Sequence, residues 1–292
     1  MAKVLPWAWL NGHLAEAAQV RISPFDRGFL FADGVYEVIP VVAGTPWCLT
    51  QHLDRLYRSG GAIGLEMPDR ALIEEAIPVL IKANTRRCQS LYLQVTRGNG
   101  GSREHLPEKV PEPTIFMMCQ ELADPRTLKL DQIEGISAVT VPDFRWQRCD
   151  IKSIALLASV MARLQALEKD AEDAIFVRNG LVTEASAANV FVVREGEIIT
   201  PLADEHILSG ITRERVLEVA TREGLAVEEG PVDETLLKEA DEIWLSSSTR
   251  HLVPVIRLNG EPVGLGAPGP VWHTLMQAYL DTMLSEVGKT HG

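Results

Sequence analysis

Lys152 is the side chain of this sequence best placed for covalent chemistry. It stands directly before an apolar segment with helical spacing, and Ile151 and Ile154 flank it. Most lysines are solvated, since an unpaired lysine is almost never fully buried. A lysine that is shielded from water has a lowered pKa and becomes a nucleophile towards aldehydes. The predicted strand-to-helix junction makes Lys152 a candidate nucleophile, with an ordinary solvated lysine as the alternative.

Glu184 is a candidate partner for the nitrogen of an aromatic ring. Small residues follow it at 185–188, between two predicted hairpins, and they would let a planar ring approach. A carboxylate beside a pyridine nitrogen keeps that nitrogen protonated, which makes the ring an electron sink. The alternative interpretation is an acid on a surface turn.

Residues 210–212 form a candidate anion site. They open a predicted helix, and the free N–H groups at a helix N-terminus attract anions. The alternative is that Thr212 simply caps its own helix. Ser247 and Ser248 follow an apolar strand and offer hydroxyl donors, although the same composition is common in turns.

Four further side chains carry donors suited to anionic groups. Arg55 lies on a predicted helix, where it either clamps a phosphate or pairs with Asp54 or another helical neighbour. Tyr36, Arg103 and His105 lie near strand ends or loops, where each is also explained as an ordinary residue. None of these residues identifies a function by itself.

Strands and helices mix along the chain, which predicts two α/β domains of the α+β type with hairpin-rich, largely antiparallel sheets. Periodicity predicts helices at 51–63, 69–84, 154–167, 213–223 and 271–285, with Gly224 as the C-cap of the fourth. Strands are predicted at 7–10, 35–42, 90–96, 114–118 and 242–245, and turns at 11–12, 43–44, 179–180 and 194–196. We predict an N-terminal domain at 1–121, a linker at 122–127 and a C-terminal domain at 128–292 that carries Lys152.

Composition and charge exclude several classes of protein. The 292 residues carry a formal net charge of −12, which repels nucleic acid and anionic lipid, so we expect neither as a partner. The four cysteines form no CxxC pair and no histidines have metal spacing, which predicts a reducing compartment and no metal. No segment approaches the ~20 apolar residues that span a bilayer, and the N-terminal apolar run is too short for a signal peptide. The expectation is a cytoplasmic protein that acts on small molecules.

Taken together, the motifs resemble the class IV (fold type IV) aminotransferases, which use pyridoxal 5'-phosphate (PLP), and among them the D-amino-acid type. The resemblance covers nearly the whole chain, and several motifs follow in the family's order with near-family spacing. It is densest at Asp26 through Val38, His52 through Tyr57, Arg145 through Ser153, Thr183 through Phe191 and Ile207 through Arg213.

The resemblance implies a role for each candidate residue. Lys152 is implied to bind PLP covalently and to move the proton between the substrate and the cofactor, and Glu184 to pair with the pyridine nitrogen. Implied ligands of the cofactor phosphate are Arg55, Ile211, Thr212, Ser247 and Ser248, and Leu208 is implied to pack against the ring. Implied ligands of the substrate carboxylate are Tyr36, Arg103 and His105, supported by Arg145. In the family the Arg-x-His pair comes from the neighbouring subunit, which implies a homodimer.

The sequence departs from the family pattern at three places. The loop from Arg97 to Arg103 is one residue longer than expected and rich in glycine, which could displace Arg103 and His105. Alanines replace common serines at 187 and 188, and the Arg-His pair at 250–251 is bulkier and more basic than expected beside the phosphate site.

The implied reaction is a ping-pong transamination between a D-amino acid and a 2-oxo acid such as 2-oxoglutarate or pyruvate, through pyridoxamine phosphate. Enzymes of the same fold remain as alternatives: a branched-chain L-amino-acid aminotransferase, an (R)-selective amine transaminase and an aminodeoxychorismate lyase. The segment from Arg103 to His105 argues against the first of these. A non-catalytic PLP-carrying relative is a further alternative, disfavoured by Lys152 and Glu184.

Overall fold

The computed structural model describes residues 2–289, which divide into two compact units. Unit 1 comprises residues 2–127, 151–155 and 287–289, and unit 2 comprises residues 128–150 and 156–286. Each unit contains one β-sheet together with helices.

Within the described residues, unit 1 contains a six-stranded antiparallel sheet in the order β2-β1-β6-β5-β3-β4. Its strands are β1 (Val4–Leu10), β2 (His13–Glu16), β3 (Gly34–Val42), β4 (Thr45–Pro46), β5 (Gln89–Thr96) and β6 (Thr114–Glu121). Its helices are α1 (Arg27–Phe31), α2 (Leu49–Ala62) and α3 (Arg70–Ala83).

Helices α2 and α3 supply one side of the hydrophobic core of unit 1. Their buried residues recur three and four positions apart, so they share one helix face, which packs against the buried alternate residues of β3 and β5. The fully buried members of this core are Leu53, Leu56, Ile73, Ile77 and Leu80 from the helices and Val35, Ile39, Val41, Leu91, Leu93, Val95, Met117 and Cys119 from the strands.

In unit 2, the described strands form a nine-stranded sheet in the order β12-β11-β10-β13-β14-β7-β8-β9, with β15 paired to β14. Most pairs are antiparallel, and β7 pairs in parallel with β14 and β8, as β11 does with β12. The strands are β7 (Ile136–Pro142), β8 (Asp173–Arg178), β9 (Leu181–Ala185), β10 (Asn189–Arg194), β11 (Glu197–Thr200), β12 (Val227–Glu229), β13 (Glu242–Ser247), β14 (His251–Leu258) and β15 (Glu261–Pro262). The helices are α4 (Leu157–Leu167), α5 (Ile211–Arg222), α6 (Glu234–Lys238) and α7 (Pro270–Lys289).

Helix α4 packs through its small residues and exposes its large ones. Ala162 and Ala166 are fully buried and belong to a cluster with Phe176 and the β7 side chains. On the other face, Leu157 is 72% exposed and Leu164 is 54% exposed. The apolar spacing correctly predicted a helix, but the larger part of its apolar face is not covered by any of the residues 2–289 that the structure describes.

The predicted fold class is confirmed, since helices mix with two largely antiparallel sheets. The helices predicted at 51–63, 69–84, 213–223 and 271–285 correspond to α2, α3, α5 and α7. Gly224 follows α5 with φ +72°, a backbone conformation that glycine adopts without strain.

The segment that carries Lys152 differs from the prediction. A helix was predicted from residue 154, but α4 begins at Leu157, because the backbone of residues 152–154 is hydrogen-bonded to β3 and Val35 forms a bridge with Ser153. The contacts of this segment group it with unit 1, whereas the prediction placed Lys152 in the C-terminal domain. The boundaries at 121 and 128 stay a prediction.

Candidate active site

Lys152 is fixed by its backbone in unit 1. Its carbonyl oxygen accepts a hydrogen bond of 3.0 Å from the Tyr36 N–H, and its own N–H donates to Ser59 Oγ at 3.2 Å. The side chain is half-buried, and its Nζ lies 4.3 Å from the centre of the Tyr36 ring. Such a contact orients an ammonium group over the face of the ring. The structure thus brings together two of the predicted site residues, Lys152 and Tyr36.

Arg55 is held in a buried cluster with Glu37 and His52. Its Nε and Nη2 donate to the two oxygens of Glu37 at 2.7 and 2.8 Å, a fork geometry that aligns the guanidinium. His52 Nδ1 lies 2.7 Å from Glu37 Oε2, and the three side chains are between 0 and 4% exposed. Asp54 accepts a hydrogen bond from Arg70, and the buried position of Arg55 does not fit the alternative of a surface arginine.

Charges decide the protonation of this cluster. Burial by itself would raise the pKa of Glu37, but Arg55 and His52 lower it to about 2, so the carboxylate is ionised. Burial lowers the pKa of His52 by more than Glu37 raises it, so the ring is neutral and donates its Nδ1–H to the carboxylate. Arg55 is therefore a permanently charged guanidinium whose direction is set by one carboxylate.

Arg103 and His105 lie in an exposed loop of unit 1 beside one aromatic ring. The Arg103 guanidinium carbon lies 5.7 Å from the centre of the Phe31 ring, and the His105 and Phe31 ring centres are 5.6 Å apart. Both side chains therefore lie beside the Phe31 ring. The part of the loop that precedes them is rich in glycine.

Glu184, on β9 of unit 2, accepts hydrogen bonds at both carboxylate oxygens. Oε1 accepts from Arg145 Nη1, and Oε2 accepts from the Leu208 N–H at 3.1 Å. The residue is 8% exposed, which contradicts the alternative of a surface turn acid. Leu208 serves this site through its backbone, while its predicted packing against a cofactor ring stays a prediction.

Arg145 belongs to a charged cluster around Glu184. Two of its nitrogens donate to Asp143 at 2.8 and 2.9 Å, and Arg178 lies 3.1 Å from the same carboxylate. Burial would lower the pKa of Arg145, but Asp143 and Glu184 raise it above its ordinary value. The guanidinium is thus committed to these acids. Its predicted support of a substrate carboxylate stays a prediction.

The N-terminus of α5 presents backbone N–H groups. Gly210 is the N-cap and has no side chain to accept from the first turn, so the predicted alternative of Thr212 as the cap is wrong. A Cβ at Gly210 would lie 2.0 Å from Asn189 Oδ1, so glycine is required for this approach. Ile211 and Thr212 are buried in the first turn. Their N–H groups point along the helix axis, where an anion is favoured.

Ser247 and Ser248 lie where β13 turns into β14. Ser246 on β13 pairs with Asn189, and the Asn189 side chain lies next to Gly210. Ser247 and Ser248 therefore follow a strand whose end lies beside the start of α5. Both serines are half-buried. The hydroxyls and the helix N-terminus together form a donor set suited to a phosphate.

Of the unexpected basic pair at 250–251, only Arg250 is charged at neutral pH. Arg250 lies 3.7 Å from Asp173, which also accepts from Ser186 Oγ at 2.5 Å. Burial lowers the pKa of His251 to about 4, so this ring is neutral at pH 7, and it packs against Tyr279.

Each unit carries donors that fit part of PLP. Unit 1 supplies an amine and a guanidinium, and unit 2 supplies a carboxylate and a helix N-terminus with hydroxyls. Groups of these kinds are suited to an aldehyde, a phosphate and a pyridine nitrogen, all of which PLP carries. Among the described residues, no group of His, Cys, Asp and Glu side chains is arranged to hold a metal ion.

Comparison with known proteins identifies the family. Residues 34–258 match the model of the amino-transferase class IV family. A D-alanine aminotransferase of Bacillus licheniformis is 39% identical over 281 residues, which cover 96% of this chain and 98% of that protein. A D-alanine aminotransferase of Listeria monocytogenes is 36% identical over 283 residues, which cover 96% and 97%.

The fold agrees with this match. A branched-chain amino acid aminotransferase of Escherichia coli aligns with a TM-score of 0.85 and 21% identity, covering 96% of this chain and 95% of that one. A hypothetical aminotransferase from Mycobacterium tuberculosis, solved in its PLP-bound form, aligns with a TM-score of 0.83 and 22% identity, covering 96% of this chain and 99% of that one.

The chain belongs to the class IV aminotransferases. The family predicted from the motifs is therefore confirmed, and with it a PLP-dependent aminotransferase activity of the kind carried by relatives 36 to 39% identical. No helix among residues 2–289 combines the length and the apolar character needed to cross a membrane.

Several residues of these clusters were not predicted as site residues. Glu37 carried a signal, because it is a charged residue within the apolar strand segment 35–42 and therefore needs a buried partner. Asp143 carried no comparable signal, because its importance depends on which distant groups it meets.

Proposed function

We propose that this enzyme transfers the amino group of D-amino acids to 2-oxo acids, as in a D-alanine and 2-oxoglutarate reaction. The observation that carries the proposal is the pair of Arg103 and His105 beside the Phe31 ring, which is suited to a carboxylate. The name of the relatives at 39 and 36% identity supports the same substrate class. The branched-chain alternative has less support. That structural neighbour is 21% identical, and at this identity the similarity shows the shared fold alone.

PLP, when bound, supplies an electron-withdrawing ring that makes the Cα proton of the amino acid acidic. Lys152 is proposed as the residue that would hold the cofactor through Nζ, and the same Nζ would carry the proton between the Cα of the substrate and the cofactor. The Tyr36 ring, 4.3 Å from Nζ, keeps the amine in one direction. Glu184 is proposed as the residue that would pair with the pyridine nitrogen, and Arg145 donates a hydrogen bond to its carboxylate.

The phosphate ligands are proposed to be Arg55, the N–H groups of Ile211 and Thr212, and the hydroxyls of Ser247 and Ser248. Glu37 fixes the direction of Arg55, while Gly210 leaves the first turn of α5 open to an anion. Leu208, whose backbone binds Glu184, is proposed to pack against the ring.

The substrate carboxylate is proposed to bind Tyr36, Arg103 and His105. An arginine fork forms two charge-assisted hydrogen bonds with a carboxylate, and the histidine and the phenol add further donors. A substrate amine that lacks a carboxylate would forgo these contacts, so the pair selects amino acids over simple amines.

We also propose a cytoplasmic homodimer. The exposed face of α4 supports the dimer, because Leu157, Leu164 and Leu167 are 72, 54 and 68% exposed in a single stripe. Monomers rarely leave contiguous apolar patches of this kind to water. The four cysteines are free thiols, as expected in a reducing compartment.

The test is the ratio of kcat/KM for D-alanine to that for (R)-1-phenylethylamine, measured in the wild type and in Arg103→Ala. Loss of a hydrogen bond to a charged group costs about 1.5–3 kcal/mol, so the ratio is expected to fall about ten-fold to a hundred-fold. Lys109→Ala, an exposed cation of the same loop, is the control and should leave the ratio unchanged. An unchanged ratio in Arg103→Ala would remove Arg103 from carboxylate recognition.

A further inference from the structure

Arg27, on α1, is a buried cation that binds the loop carrying Arg103 and His105. Its Nη1 donates to the Glu104 carbonyl and its Nη2 to the His105 carbonyl, both at 2.7 Å. Its side chain is 6% exposed. Glu104 directly follows Arg103, and His105 is itself a proposed ligand of the carboxylate. One guanidinium therefore determines where the loop backbone lies.

The third arm of this guanidinium is anchored in unit 1. Arg27 Nε donates to Asp33 Oδ2 at 2.8 Å, and Arg97 Nε donates to the same oxygen at the same distance. Burial would raise the pKa of Asp33, but Arg97 and Arg27 lower it, so the carboxylate is ionised and binds both cations. Arg97 donates its other nitrogens to the carbonyls of Ile63 and Gly64.

Helix α1 also carries the ring on which the loop side chains rest. Phe31, one turn after Arg27, contacts the rings or guanidinium groups of Arg27, Arg103 and His105. A single short helix therefore fixes both the backbone and the side-chain direction of the loop. The N-cap of this helix is closed by Asp26, whose carboxylate accepts from the Gly28 N–H at 2.8 Å.

We propose that Arg27 is a positioning residue for substrate specificity: it holds the loop 103–105 so that Arg103 and His105 present their donors together to the substrate carboxylate. This inference rests on the carboxylate role proposed above. Arg27 donates hydrogen bonds to Asp33 and to two backbone carbonyls. It therefore affects the substrate through the position of the loop. The glycine-rich segment 98–101, which by itself would let the loop move, is compensated by this anchor.

Arg97 provides a matched control. It is also a largely buried arginine that binds Asp33 and two backbone carbonyls, but its carbonyls belong to residues 63–64 and not to the loop. Arg97→Met removes the same kind of contacts from the same carboxylate. Any effect specific to Arg27→Met is therefore an effect on the loop.

The first measurement is the rate at which trypsin cleaves the holoenzyme after Arg103, followed by mass spectrometry. Arg103 is exposed, and cleavage requires the chain around it to open. Arg27→Met is expected to raise this rate about ten-fold or more over wild type, while Arg97→Met does not. Arg27→Lys keeps a cation beside Asp33 but loses the fork, so it should give an intermediate rate and covers the case in which Arg27→Met folds poorly.

The second measurement is the ratio of kcat/KM for D-alanine to that for (R)-1-phenylethylamine in the same variants. Arg27→Met should lower the ratio about ten-fold, mainly through KM for D-alanine, with the ratio of Arg97→Met unchanged. Equal cleavage rates in Arg27→Met and Arg97→Met would overturn the anchoring role. Faster cleavage with an unchanged ratio would keep the anchor and instead refute the proposed carboxylate role of Arg103 and His105.

Discussion

Glu184 shares its two oxygens between a guanidinium and a backbone N–H, and that division decides what it can do. Arg145 donates to one oxygen of the carboxylate, and the Leu208 N–H donates to the other. Asp143 also binds Arg145, so the positive charge of the arginine is shared between two carboxylates, those of Asp143 and Glu184. A carboxylate held in this way is suited to keep a second cation, a protonated ring nitrogen, beside it.

The corresponding prediction is that Glu184→Gln leaves PLP bound but slows the half-reaction with D-alanine. A neutral amide cannot hold the ring nitrogen protonated, so we expect the rate to fall by about ten-fold or more. Single-turnover absorbance, which follows formation of the pyridoxamine form, measures it. Glu184→Asp keeps the charge and should be less impaired if the shorter side chain still reaches. Equal single-turnover rates in wild type and Glu184→Gln would exclude Glu184 from the site.

Between the elements β3 and α2, the buried cluster of Glu37, Arg55 and His52 replaces apolar contacts with charge. A charge pair in such a position is stable only while both partners remain, because a single buried charge has lost its water. The cluster thus ties the strand that carries Tyr36 to the helix that presents Arg55. The orientation of Arg55, the proposed ligand of the cofactor phosphate, and the integrity of the core depend on the same carboxylate.

We therefore predict that Glu37→Gln destabilises the apoenzyme at neutral pH and that its effect vanishes in acid. The folded pKa of Glu37, about 2, lies below the ordinary value of 4.5. The ion pair then contributes its full stability above pH 4.5 and loses it as the pH falls towards 2. Over this interval the contribution is on the order of 3 kcal/mol.

Urea unfolding of both proteins between pH 7 and pH 3 tests this expectation. The difference in unfolding free energy should be constant from pH 7 to about 5 and shrink below about pH 4.5. Glu74→Gln, which removes an exposed partner of Arg70, is the control and should cost less than about 1 kcal/mol. A difference that persists unchanged to pH 3 would contradict the ionised pair.

The elements were predictable where local spacing decides them. The apolar periodicity of α2, α3 and α5 appears in the sequence, and so do the turns at Asn11-Gly12 and Asn179-Gly180, where asparagine and glycine both have positive φ. The start of α4 was not predictable, because the bridge between Val35 and Ser153 is a contact between distant parts of the chain.

The same division applies to the site. Lys152, Glu184 and Arg55 were predicted from motifs, because a family resemblance preserves residue types. The contacts that position the candidate residues were not predicted. For example, no sequence spacing indicates that Arg27 binds the carbonyls of Glu104 and His105. Side chains that act on a backbone far away in sequence leave no local pattern.

At the scale of the whole molecule, the exposed face of α4 is the feature that a single chain does not explain. Its small residues Ala162 and Ala166 face the sheet, whereas leucines face water. For a helix of a monomer the opposite arrangement is expected. The apolar stripe is explained if a second copy covers it, as the proposed homodimer requires.

The last prediction is that Leu157→Lys combined with Leu164→Lys converts the dimer into monomers. Each substitution places a charge on the apolar stripe, and a buried unpaired lysine at an interface costs several kcal/mol. Sedimentation velocity should show the mass of two chains for wild type and of one chain for the variant. Leu265→Lys is the control, because Leu265 is 99% exposed but lies away from α4 in the loop before α7, and it should leave the mass unchanged. The resemblance implies that Arg103 and His105 act across subunits, so the monomer should also lose the preference for D-alanine over (R)-1-phenylethylamine. A double variant that still sediments with the mass of two chains would show that the dimer uses another surface, and a wild type with the mass of one chain would contradict the proposed homodimer.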